Sequence, residues 1–82
     1  MVVRIVVGPW VRVGNAAYAN ELTTDTGIRV HLTLEQLPTG QWDWTVWREG
    51  QPENSGYGVS PDLAAGFAAA EQAGRALIDG HS

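Results

Sequence analysis

Few residues of this chain combine the type and the spacing that chemistry requires. Ser60 lies in the run GVSPD at positions 58–62, spaced like the nucleophile of a Gly-x-Ser-x-Gly elbow. Asp62 stands where that motif needs glycine, and no histidine is placed to act as its base. Gly56 and Gly58 resemble the start of a phosphate-binding loop but lack its third glycine and its lysine. We therefore interpret Ser60 as a helix cap and expect no enzymatic activity.

The chain has no cysteine, and its two histidines, His31 and His81, are far apart with no carboxylate at ligand spacing. We expect no metal site, no cofactor and no disulfide. Nine acidic residues against five arginines and no lysine give a formal net charge of −4. This balance argues against binding to the phosphate backbone of nucleic acid. The chain contains 82 residues, so we expect a single domain, residues 1–82, with little room for a water-excluding active-site pocket.

The composition is that of a folded protein without a membrane span. It is 44% hydrophobic and 17% charged, as in globular domains. No run approaches the roughly 20 apolar residues that a transmembrane helix needs. The stretch MVVRIVV at the N-terminus is too short and too interrupted for a signal-peptide core. We expect a cytoplasmic protein.

The feature that best indicates a binding surface is the segment 41–48, QWDWTVWR, which holds three of the four tryptophans. Side chains of a β-strand alternate between its faces, so Trp42 and Trp44 share one face and Trp47 lies on the other. A tryptophan exposed beside arginine is a typical hot spot of protein binding. The residues predicted to form the binding surface are Trp47, Arg29, His31, Arg48, Thr45, Trp10 and Tyr57.

Alternation and turn residues predict the strands that position these side chains. Ile28–Glu35 is the clearest strand, because its branched apolar residues point to one side and its polar residues to the other. The break at Gly8-Pro9 predicts a bulge, a bend or an edge position. The other predicted strands are Val2–Val7, Trp10–Val13 with Val11 and Val13 facing the core and Trp10 and Arg12 opposite, Ala16–Thr24 with one or two helical turns as the alternative, and Ser55–Val59 after a loop at Glu49–Asn54.

A C-terminal helix is marked by Ser60 as N-cap, Pro61 at the first helical position and Gly80 as C-cap. Its predicted contact face is mostly small and includes Gly66, Ala70 and Gly74, which complements the large Trp42 and Trp44 on the sheet. The predicted fold class is α+β. It consists of a twisted antiparallel sheet of three to five strands with one C-terminal helix on a single face.

This order of elements resembles the βββα modules of short bacterial and phage proteins, including the toxin-binding domain of HicB-type antitoxins. The resemblance lies in the aromatic strand Gly40–Arg48, the glycine-bearing strand Gly56–Val59 and the alanine-rich helix Ser60–Leu77. In size, acidic charge and absence of catalytic motifs, the chain is also similar to small phage inhibitors such as anti-CRISPR proteins. The resemblance implies an inhibitor that binds a host defence protein or a toxin.

The leading hypothesis is a non-enzymatic protein-binding module, an inhibitor encoded by a phage or mobile element that occludes a functional surface of its partner. One alternative is a nucleic-acid-binding domain whose sheet aromatics stack on bases. A second is a self-associating structural protein that pairs through the Val2–Val7 edge.

Overall fold

The computed structural model describes residues 4–79, which form a six-stranded antiparallel sheet with one helix on one side. The α+β class is confirmed, and the sheet has one strand more than the predicted maximum of five. The predictions at Val2, Gly80 and His81 lie outside the described residues. The elements are β1 (Ile5–Val7), β2 (Val11–Gly14), β3 (Ala17–Thr24), β4 (Arg29–Gln36), β5 (Trp42–Arg48), β6 (Gln51–Ser60) and α1 (Leu63–Asp79).

The strand order is β1-β3-β4-β5-β6, and β2 pairs with β3 beside β1. The segment Ala16–Thr24, predicted as a strand with helical turns as the alternative, contains the strand β3. It pairs with β4, from Ala17 opposite Glu35 to Thr23 opposite Arg29. β6 begins earlier than predicted, at Gln51, directly after a two-residue turn. Its ladder is irregular, because Arg48 pairs with Gln51 whereas Trp47 pairs with Ser55.

The predicted break at Gly8-Pro9 inserts one residue into the edge of the sheet. Val7 pairs with Leu22 and Val11 pairs with Ala19, so the edge chain advances four residues (7 to 11) while β3 advances three (22 to 19). An extra residue reverses which face each later side chain occupies. A strand is present here as β2, but the predicted facing of Trp10–Val13 is wrong. Val11 is 54% exposed, while Trp10 and Arg12 lie on the helix side.

The core lies between α1 and the sheet. Its helix contribution is small, with Gly66, Ala70 and Gly74 all buried. A Cβ at Gly74 would lie 2.8 Å from Leu22 Cδ1 and 2.9 Å from Leu32 Cδ2. The helix backbone at Gly74 is therefore in close contact with the sheet side chains.

The predicted large-against-small packing is present, but its closest sheet partners differ from those predicted. A Cβ at Gly66 would lie 2.6 Å from Leu34 Cδ2 and 3.5 Å from Trp42 Cβ. The ring of Trp44 lies instead over Gly58 of β6, where an added Cβ would be 2.5 Å from Trp44 Cζ2. Trp44 thus packs across the neighbouring strand β6. Most of the sheet side chains that contact the helix glycines are branched aliphatic.

The helix begins two residues later than the Ser60 cap predicted. Asp62 is the cap, because its Oδ1 accepts a hydrogen bond of 2.8 Å from the backbone N–H of Ala65. Ser60 is the last residue of β6, pairs with Trp42 and is only 6% exposed. Strand pairing therefore holds Ser60 away from the helix end.

Gly74→Leu tests the close approach of α1. We expect the variant to lose about 1–3 kcal/mol of unfolding free energy through overpacking, measured by urea denaturation. Ala76→Leu is the matched control, because Ala76 is exposed on the same helix. Equal stability of the two variants would contradict the packing of α1 against the sheet.

Candidate functional site

The sheet side opposite α1, here called the open face, carries most of the predicted site. Strand pairing places residues that lie directly opposite each other on the same side of the sheet. Because α1 contacts only the other side, these side chains have no second layer within residues 4–79. The paired strand residues of the open face are Val6, Val11, Gly14, Ala17, Ala19, Glu21, Thr23, Arg29, His31, Thr33, Glu35, Asp43, Thr45, Trp47, Ser55, Tyr57 and Val59.

His31 and Trp47 form the aromatic centre of the open face. They lie opposite each other on β4 and β5, and their rings stack with centroids 5.4 Å apart and planes 27° apart. Nε2 of His31 donates to Oε1 of Glu49 at 2.8 Å, which fixes the imidazole over the indole. Trp47 is partly exposed. The stack is therefore a preformed aromatic platform.

The other predicted residues on this face surround the stack. Arg29 Nε lies 3.8 Å from Oε1 of Glu21, with both side chains about half exposed. Thr45 lies between Thr33 of β4 and Tyr57 of β6 in one cross-strand row. Tyr57 is 82% exposed. Four strands thus contribute to one continuous surface.

Two predicted surface residues lie on the opposite side. Trp10 Nε1 donates to Oε2 of Glu71 at 2.8 Å, and its ring stacks on Phe67 with centroids 4.6 Å apart. The inserted residue at the Gly8-Pro9 break accounts for this correction. Arg48 pairs with the buried Val30. Since it follows Trp47 directly, alternation turns it to the helix side.

A shallow concavity of about 370 Å³ lies on the open face beside the stack. Its walls come from the β1–β2 break and from β2, β3 and β4. The Asn20 amide holds this edge in place by donating from Nδ2 to the Gly8 carbonyl at 2.7 Å. The lining residues are Gly8, Pro9, Val11, Ala19, Asn20, Glu21 and His31.

Glu35 and Asp43 form an acidic pair that sequence reasoning did not single out. They lie directly opposite each other on β4 and β5. Neither carboxylate has a salt bridge or a side-chain hydrogen bond within residues 4–79. Like charges directly opposite on a sheet are destabilising. The alternation of the two strands was visible in sequence, but the register that makes these residues neighbours was not.

The described residues do not assemble a recognisable catalytic centre. His31 and Glu49 are a histidine–carboxylate pair, yet within residues 4–79 no hydroxyl hydrogen-bonds the imidazole as a nucleophile would. Across that same range, no group of three or more His, Asp and Glu side chains has the arrangement of a metal site. Gly58 accommodates the Trp44 ring, which gives the glycine-rich run a packing role.

The two sheet edges differ in their capacity for strand pairing. β1 is three residues long and ends at the Gly8-Pro9 break, and short, interrupted edges resist pairing with other chains. The opposite edge, Ser55–Ser60 of β6, contains no proline and no charged residue. Self-association through Val2–Val7 stays a prediction, because Val2 and Val3 lie outside the described residues.

Comparisons with protein-family models, with curated proteins and with solved structures found no match. Within residues 4–79, no helix has the length and apolar character to cross a membrane. The fold defines a small α+β protein with a six-stranded antiparallel sheet. Its functional assignment therefore depends on the geometry of the open face.

Two tryptophans of β5 test the separation of the faces. Trp42 is 9% exposed in the core, so Trp42→Ala is expected to cost about 3–5 kcal/mol of unfolding free energy. Trp47→Ala removes a ring contact on the open face and is expected to cost about 0.5–1.5 kcal/mol. Chemical denaturation of both variants measures the difference. A loss for Trp47→Ala as large as that for Trp42→Ala would place Trp47 in the core.

Asp43→Lys tests the acidic pair. Replacing one carboxylate by an ammonium opposite Glu35 is expected to stabilise the fold by about 0.2–1 kcal/mol, partly screened by solvent. Asp25→Lys is the control, since it makes the same change in net charge at an exposed turn. Equal effects of the two substitutions in urea denaturation would contradict a repulsion between Glu35 and Asp43.

Proposed function

We propose that this chain is a non-enzymatic protein-binding module that uses the open face as its binding surface. The observation that carries the proposal is the position of its exposed apolar side chains. Residues 4–79 have five exposed large apolar side chains, and four of them, all except Val13, lie on the open face. They lie near the two edges of the face, on β1, β2 and β6, with the His31–Trp47 stack between them. Exposed apolar side chains distributed across one face are typical of a site of association. The four side chains are Val6, Val11, Tyr57 and Val59.

The His31–Trp47 stack supplies a candidate anchor at the middle of this surface. β4 and β5 are interior strands of the sheet, so the stack is surrounded by other open-face residues. Hot spots are typically aromatic or arginine side chains near the centre of an interface, ringed by contacts that exclude water. The bond from His31 to Glu49 limits the ring motion that binding would otherwise have to freeze.

The charge of the same surface favours a protein over a nucleic acid. Among its described strand residues, Arg29 is the only arginine, and it is paired with Glu21. Glu35 and Asp43 add two unpaired carboxylates. A sheet that binds nucleic acid needs cations along the path of the phosphates. The nucleic-acid alternative therefore has aromatic side chains but lacks the required charge.

The biological role that we propose for the chain is inhibition of a partner protein. A small, acidic chain with a preformed surface is suited to act as an inhibitor that occludes a functional surface of its partner. The resemblance of its element order to antitoxin modules, and of its size and composition to anti-CRISPR proteins, supports an inhibitor encoded by a phage or mobile element. The expected target is a host defence protein or a toxin in the cytoplasm.

Differential capture tests the proposed function. The immobilised wild-type chain is exposed to nuclease-treated host lysate. The variants Trp47→Ala and Tyr57→Ala are treated in the same way, with Gln72→Ala, which alters an exposed residue of α1, as the control. We expect one protein at stoichiometric yield with the wild type and the control. The Trp47→Ala variant should lose it, since removing a hot spot costs 2 kcal/mol or more, roughly thirtyfold in affinity.

Retention of that protein by both open-face variants would contradict the proposed surface. Gel retardation of single- or double-stranded nucleic acid at low salt would favour the nucleic-acid alternative instead. Circular dichroism of each variant confirms that altered capture does not reflect unfolding.

A further inference from the structure

We propose that the partner of the open face is a basic protein segment, which places a lysine or arginine over Glu35 and Asp43 while an apolar side chain contacts the His31–Trp47 stack. This inference depends on the proposed function and specifies the chemistry of the partner. It goes beyond that function because it predicts the kind of residue the partner must present, and at what spacing.

The acidic pair is the first observation. Glu21 is near Arg29, and Glu49 is hydrogen-bonded to His31, so these two carboxylates at the other end of the surface have local partners. Glu35 and Asp43 have only each other within residues 4–79. Their row continues to Ala17 on β3 and Val59 on β6, which carry no charge. One cation from a partner would lie between two carboxylates and remove their repulsion.

The spacing along the strands is the second observation. His31 and Glu35 are four residues apart on β4, and Trp47 and Asp43 are four residues apart on β5. At about 3.3 Å per strand residue, the acidic pair is roughly 13 Å from the aromatic stack. An extended partner segment matches this distance when its basic side chain lies four positions from its apolar one. A helix needs about nine residues for the same distance.

The row between these two points is uncharged and consists of Thr33, Thr45 and Tyr57 with Ala19 and Val11. A partner segment can therefore cross it without bringing a further charge. A second copy of this chain fits less well. The only arginine on the described strands of its open face is already engaged by Glu21, and the whole chain carries a net charge of −4.

Selection from a displayed library of short random peptides tests the inference. The baits are the wild type, Glu35→Gln with Asp43→Asn, Glu35→Lys with Asp43→Lys, and Trp47→Ala. With the wild type, we expect enrichment of lysine or arginine four positions from an aromatic or branched apolar residue. The neutral double variant should bind a selected synthetic peptide about tenfold more weakly, and the lysine double variant should select acidic residues instead.

The outcomes separate the two proposals. If the neutral double variant retains full affinity for the selected peptide while Trp47→Ala loses it, the basic-partner inference is overturned and the open-face function stands. If Trp47→Ala binds the peptide as the wild type does, the open-face function itself fails. Failure of the wild type to enrich any motif contradicts both. Sedimentation as a dimer that Trp47→Ala dissociates overturns the basic-partner inference, because a second copy then occupies the face. Unchanged circular dichroism establishes that each bait is folded.

Discussion

The fold depends on the close approach of α1 to the sheet. The small residues Gly66, Ala70 and Gly74 allow the helix backbone to approach the sheet closely. Leucines of β3 and β4 pack against the two glycines. Because the described chain has a single helix, this contact can bury only one side of the sheet. The side that is left bears the His31–Trp47 stack. Core packing and the candidate surface are therefore consequences of the same contact.

Sequence predicted those features that depend on local periodicity. The alternation of β4 and the small stripe of α1 identified both layers of the core, and the same alternation separated Trp47 from Trp42. The features it missed depend on how segments pair. One inserted residue at the Gly8-Pro9 break turned Trp10 inward and Val11 outward. Ser-Pro-Asp allows a cap at Ser60 or at Asp62, and only the pairing of β6 with β5 decides between them.

The candidate surface shows the same division between local pattern and register. Trp47, His31 and Arg29 follow from alternation within single strands. The acidic pair follows only from the register of β4 with β5, which places Glu35 opposite Asp43. Like charges directly opposite each other on a sheet repel and are destabilising. In the proposed complex, a basic partner over this pair would offset that repulsion.

The central claim is that one face of the sheet is packed and the other is accessible. Attenuation of side-chain NMR signals by a neutral paramagnetic cosolute tests it directly on the free chain. We predict strong attenuation of the Val11 and Val59 methyls and of the Tyr57 ring, with Leu32 and Val46 protected. Protection of Val11, Val59 and Tyr57 equal to that of Leu32 would contradict the account, because the face would then be covered in solution.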